Sequence, residues 1–123
     1  MCAVEVDVPL GGPAPIWIKA NVNQTGFYRV NYDASNWAAL RAQLHREHGA
    51  LSAADRASLL DDAFTLAKAG ELNLSVALDM AGYLRRERDF APWATALPHL
   101  LHLQRMGSDA SWLPTLQVQC CCR

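Results

Sequence analysis

The sequence predicts a mostly α-helical protein, built of antiparallel helix pairs like those that open an α-solenoid and preceded by two or three β-strands. Three observations carry this. Apolar residues recur at helical spacing from Trp37 to Leu101. Short connections with capping chemistry separate those runs, which predicts antiparallel neighbours. Before Asp33 the spacing switches to alternation, broken by glycine and proline. The division is strands over 1–33, helices over 34–106 and an irregular tail over 107–123. No clean internal repeat accompanies the helix pairs.

The first strand is expected over residues 3–8, where Val4, Val6 and Val8 alternate with Glu5 and Asp7. Pro9 and the run Gly11-Gly-Pro-Ala-Pro15 end it. Ile16, Trp17 and Ile18 open a second strand. Turn chemistry from Asn21 to Gly26 precedes a third, Phe27 to Tyr32. Tyr28, Val30 and Tyr32 share one face of it; Phe27, Arg29 and Asn31 share the other. Three strands with open edges make a marginal sheet that invites pairing.

Asp33 or Ser35 is expected to cap the first helix, whose Trp37, Leu40 and Leu44 fall on one face before Gly49. Ser52-Ala-Ala-Asp55 resembles a capping box opening the second helix. Leu60, Ala63, Phe64 and Ala67 form its stripe, flanked by Leu59 and Leu66, and Gly70 closes it. The third helix starts near Asn73 and carries Val76, Ala77, Met80, Tyr83 and Leu84, with Arg85, Arg86 and Arg88 at its C-terminal dipole. The fourth starts near Asp89 and carries Trp93, Leu97, Leu100 and Leu101. Pro92 is tolerated in its first turn, while Pro98 should kink or interrupt it.

Composition excludes several function classes. The 123 residues suit one small domain, and half of them are apolar with a net charge of −1. Without a basic excess there is no electrostatic footprint for nucleic acid. No apolar run is long enough to span a bilayer, and the first nine residues lack signal-peptide character, so no secretory route is expected from the chain as written. Cys2, Cys120, Cys121 and Cys122 lie at the extremes. They read as free thiols rather than a disulfide framework, a metal site or a lipidation signal.

Few residues suggest chemistry. His45/His48 and His99/His102 are pairs set three apart on a helix face, but His45-Arg-Glu-His48 is not the H-E-x-x-H of zinc hydrolases. A solvated face is the expectation for both pairs. Arg56 falls on the apolar stripe of the second helix and needs a partner from another element, such as a strand-end carbonyl or Asp33. Arg29 invites the same reading. Asp61 and Asp62 point about 100° apart on a helix, so they should not share one proton; they read as interhelical hydrogen-bonding or solvated groups. Arg29, Arg56, Asp61 and Asp62 are therefore the candidates for structural anchors between domains, with no catalytic, cofactor-binding or metal-binding residue expected. Asn23-Gln-Thr25 and Asn73-Leu-Ser75 match the N-glycosylation pattern, and Asn73 also suits a helix cap.

Trp17-Ile-Lys-Ala-Asn21, Gly26-Phe-Tyr-Arg-Val-Asn-Tyr32 and Asn36-Trp37 resemble a junction in the zinc-dependent gluzincin aminopeptidases. Ala54-Asp-Arg-Ala-Ser-Leu-Leu-Asp-Asp-Ala-Phe64 and Leu66-Ala-Lys-Ala-Gly70 resemble the first long helix of that family's C-terminal helical domain. Tyr83-Leu84, Glu87 and Pro92-Trp93 extend the resemblance, which covers about residues 16 to 103 and is closest to the glutamyl aminopeptidase and aminopeptidase N branch. It implies that the strands end a β-sandwich domain and the helices begin a superhelical domain closing over the active site. The family's zinc helix, distal glutamate ligand, G-x-M-E-N motif and transition-state tyrosine have no counterpart, so no zinc is expected in this chain. The parent would act on peptides, often at the outer face of the plasma membrane. A fragment from a truncated gene model, splice form or frameshift is the expected origin. The alternative is a non-enzymatic helical module that docks onto a partner, onto a full-length aminopeptidase or onto a second copy.

Overall fold

A computed structural model describes residues 17–107. Four α-helices dominate: α1 Ala34–Glu47, α2 Ala53–Lys68, α3 Leu74–Ala81 and α4 Phe90–Met106. The expected first strand and the tail beyond residue 107 fall outside the described residues, as do all four cysteines.

The helix boundaries follow from caps. Asp33 accepts the Asn36 amide at 3.1 Å and caps α1, while Ser35 donates its hydroxyl to the same carboxylate at 2.6 Å. Together these bonds hold the exposed Asp33 carboxyl below its usual range. Ser52 caps α2 through the Asp55 amide, but Asp55 does not reciprocate as a capping box would; its carboxylate faces a different loop. Gly70 adopts φ +81° after α2, with Glu71 N bonded to Leu66 O and Gly70 N to Ala67 O, a complete Schellman stop. Asn73 caps α3 through the Ser75 amide.

Three expectations change. α3 ends at Ala81 and continues as a 3-10 helix, Gly82–Arg86, so Tyr83 and Leu84 sit in the tighter turn. Arg86 serves a different helix: it donates to the carbonyls of His45 and Arg46 at the end of α1. α4 runs unbroken through Pro98, which lies with Ala94 on the exposed face, where the lost bond leaves a carbonyl at the surface rather than in the core.

The two expected strands within the described residues do not form. Side chains occupy the positions that a ladder would use. Asn36 both donates to Ile18 O and accepts from Ile18 N, each at 2.8 Å. The Ala20 amide donates to the Tyr32 hydroxyl, and Trp37 Nε1 donates to Asn31 Oδ1. The intervening turn is tight: Asn21, Asn23 and Gln24 all have φ above +50°, a region costly for residues with a Cβ. Gly26 closes it because a Cβ there would meet the Tyr28 ring at 2.2 Å.

The core lies among the four helices. Trp37, Leu40 and Leu44 come from α1, Leu59, Leu60, Ala63 and Phe64 from α2, Ala77 and Met80 from α3, and Ala96 and Leu100 from α4. Tyr32 meets Trp37 edge to face at 5.1 Å, tying the N-terminal segment to this core. α2 packs against α3, α4 and the N-terminal turn. Its buried surface is therefore wider than the expected stripe and includes Asp55, Arg56, Ser58 and Asp62.

Candidate functional site

Burying charge on α2 demands partners from other elements, because a desolvated ion is costly alone. Three clusters along the helix meet that demand.

At its first turn, Asp55 accepts the Asn23 amide at 2.7 Å and lies 3.6 Å from Lys19 Nζ, both side chains being buried. Lys19 also donates to Ala20 O at 2.6 Å, and Ser52 donates to Asn23 Oδ1 at 2.9 Å. The cluster clamps the strained turn onto the start of α2.

The next residue, Arg56, reaches Glu87. Its Nη1 contacts Oε1 at 2.8 Å and Oε2 at 2.7 Å, and Nη2 contacts Asp89 at 2.6 Å. Glu87 is completely buried, and its carboxylate also accepts Tyr83 OH and the amides of Arg88 and Asp89. Trp93 Nε1 donates to the Glu87 carbonyl at 3.3 Å. Burial, reinforced by the Glu87 charge and hydrogen bond, pushes the Tyr83 phenol far above its ordinary value. The partner of Arg56 is thus neither Asp33 nor a strand-end carbonyl.

Near the middle of the helix, Arg29 Nη1 contacts Asp61 at 2.6 Å and Asp62 at 3.3 Å. Asp61 also accepts from His99 Nε2 at 3.0 Å, and Asp62 from the Val30 amide at 3.3 Å. The two carboxylates diverge as helix geometry requires, yet one long guanidinium collects both. Arg29 is itself raised by the Asp61 hydrogen bond, against some desolvation. Burial pushes Asp61 upward, but the Arg29 and His99 hydrogen bonds outweigh it and hold the carboxyl below its ordinary value. Burial prevails at Asp62, which stands above that value despite the Val30 amide.

Arg29, Asp61 and Asp62 therefore meet, and Arg56 belongs to a separate cluster. Sequence reasoning missed the roles of Glu87, Asp89, Lys19 and Asp55. Glu87 sits in the charged run Arg85-Arg-Glu-Arg-Asp89, which reads as a solvated surface. Chemically the clusters fasten elements together. Both Glu87 carboxylate oxygens are taken up by donors of the fold itself.

The histidines do not converge on a metal, and no group of three His, Cys, Asp or Glu suited to one occurs among the described residues. His99 stacks on Phe64 at 5.2 Å and pairs with Asp61, contrary to a solvated face, whereas His102 is exposed. His45 faces the Asp79 carbonyl at 3.0 Å, and His48 lies against the Tyr83 ring. These donors do not fit a catalytic zinc site. Asn73 serves as a cap, and Asn23 is exposed in the strained turn.

The sequence model of the ERAP1-like C-terminal domain matches residues 17–117. The chain belongs to the ERAP1-like C-terminal domain family. Within this family's domain the match passes Leu103, where the sequence resemblance was expected to end. The chain is 49% identical over 90 residues to the thyrotropin-releasing hormone-degrading ectoenzyme of Mus musculus, covering 73% of this chain and 8% of that protein. It is 42% identical over 117 residues to aminopeptidase N of Plutella xylostella, covering 95% and 12%. It is 42% identical over 93 residues to human glutamyl aminopeptidase, covering 76% and 10%. These relatives bear out the aminopeptidase resemblance, and this member of the family spans only about a tenth of their length. No helix among the described residues is long and apolar enough to cross a membrane.

Two measurements test the clusters. Glu87→Gln should destabilise the fold by about 3 kcal/mol, because it leaves Arg56 buried with only the more exposed Asp89. The double substitution Arg56→Met/Glu87→Met should cost less than the two single changes added together, as urea denaturation would show. pH dependence should separate the two aspartates. The depressed Asp61 carboxyl stabilises the fold above its ordinary value of 3.8, and this is lost as pH falls through the lower folded value. Asp61→Asn should therefore be destabilising at pH 7, by a margin that shrinks in acid. The raised Asp62 carboxyl stabilises the fold below 3.8, and this is lost as pH rises through its folded value. Asp62→Asn should show the opposite trend.

Proposed function

We propose that this chain is a non-catalytic segment of a zinc aminopeptidase, forming part of the helical wall that covers the active site of the parent enzyme. The observation that carries this reading is the family match over residues 17–117 together with relatives named as aminopeptidases. Two of the ion clusters support it: Arg29, Asp61 and Asp62, with Lys19 and Asp55, fasten the N-terminal segment to the helices as a domain junction must. In the longer protein, residues 1–33 would complete a β-sandwich whose neighbouring strands supply the missing ladder partners. The helix pairs would continue as a superhelical array.

In this reading the parent enzyme holds the zinc, which activates water for peptide cleavage, and acts on N-terminal residues of peptides. It would work at the outer face of the plasma membrane, in keeping with the relative named an ectoenzyme. On this proposal the zinc ligands and the base would come from elsewhere in the parent enzyme.

A second reading rests on the exposed apolar residues Phe27, Phe90, Leu97, Leu101 and Met106. Such surface suits a module that docks onto a full-length aminopeptidase or onto a second copy of itself. Size-exclusion chromatography separates the two: a monomer that ignores an added aminopeptidase disfavours docking.

The direct test is an assay of the purified chain with zinc and aminoacyl-arylamide substrates. No turnover above background is expected. Turnover abolished by a chelator would overturn the non-catalytic assignment.

A further inference from the structure

A groove of about 350 Å³ opens between α1 and the α3 to 3-10 junction, away from the three ion clusters. Arg41, His45 and Arg85 line it, with Asp79 as the acidic member and Ala42 and Leu78 as apolar wall. This is a local cationic excess in a chain of net charge −1.

The ordinary explanation for cations here is that they neutralise helix C-termini. Arg86 already does that for α1 through the carbonyls of His45 and Arg46. Arg85, its neighbour, has no hydrogen-bond or ion-pair partner among the described residues, yet it faces the groove. Arg41 makes one long contact to Asp79, at 3.3 Å and with both side chains about half exposed, which leaves most of its donors free. His45 is held in place by the Asp79 carbonyl through Nε2. Gly82 lets the His45 ring approach closely: a Cβ there would meet His45 Cε1 at 3.0 Å.

We propose that this groove binds a phosphate group. Two guanidinium forks offer the paired, planar donors that tetrahedral oxyanions accept bidentately. The volume lies at the small end of ligand pockets, enough for inorganic phosphate or a small phosphate monoester whose carbon portion rests on Leu78 and Ala42. The proposal is independent of the aminopeptidase reading.

The test is NMR of the whole chain, following the His45 ring and the Arg85 Nε–H during titration with inorganic phosphate, with O-phosphoserine, and with sodium chloride at matched ionic strength. Both phosphates should produce saturable shifts that chloride does not. Arg85→Ala should weaken binding about tenfold or more, the loss of one charge-assisted bond, whereas Arg105→Ala on α4 should change nothing. Tighter binding of O-phosphoserine assigns the site to monoesters, and tighter binding of inorganic phosphate to the free ion. Shifts that merely follow ionic strength, or that persist undiminished in Arg85→Ala, would overturn the proposal. Circular dichroism of each variant confirms that the helices are intact, so a loss of binding reports on the groove.

Discussion

The buried pairing of Arg56 with Glu87 is the constraint on which the rest of the structure depends. Removing two charges from water costs several kcal/mol per ion, in the range of about 5 kcal/mol or more before compensation. The protein offsets that cost by saturation. Glu87 accepts from Arg56, from the Tyr83 hydroxyl and from two consecutive amides, while its own carbonyl receives Trp93. These donors come from α2, from the 3-10 helix, from the segment leading into α4 and from α4 itself. One carboxylate thereby sets where three elements cross. Asp89, which stands at the N-cap position of α4, makes no cap bond because its carboxylate serves Arg56 instead. A cap is sacrificed to complete the buried pair.

The same logic repeats along α2. Asp55 meets Lys19 and the strained turn, and Asp61 and Asp62 meet Arg29, with His99 joining from α4. A helix that buries charges near its start and at its middle, paired to the N-terminal segment and to the segment before α4, behaves as a hub rather than as one wall of a simple bundle. Side-chain bonds from Asn36 and Tyr32 likewise stand in for a strand ladder at Ile18 and Ala20. Such a joint fixes an N-terminal segment against the helices. The chain spans about a tenth of the length of the aminopeptidases it is similar to.

The helices were legible because their signals are local. Asp33, Ser52, Asn73 and Gly70 each announce a terminus through chemistry confined to a few residues, and the apolar period marks the buried faces. The strands were not, because alternation at Phe27–Tyr32 reports a half-buried extended chain and says nothing of a partner strand. The need for a partner at Arg56 was legible from its place on the apolar stripe. The partner itself was not, since Glu87 lies 31 residues away within a run that reads as surface. Asp61 and Asp62 diverge on the helical wheel, but the wheel omits the reach of Arg29. The aminopeptidase relationship was visible through ordered motifs, whereas the Arg85 groove depends on two helices meeting and left no pattern in the chain.

Native-state hydrogen exchange at the amides of Arg88 and Asp89 tests the central claim most directly. Both lie outside the helices, where backbone amides ordinarily exchange fast, and both donate to Glu87 Oε1. If the buried pair organises the fold, these two amides exchange only with global unfolding, as slowly as the core of α2. Exchange at the rate of an open loop, with α2 still protected, would contradict it.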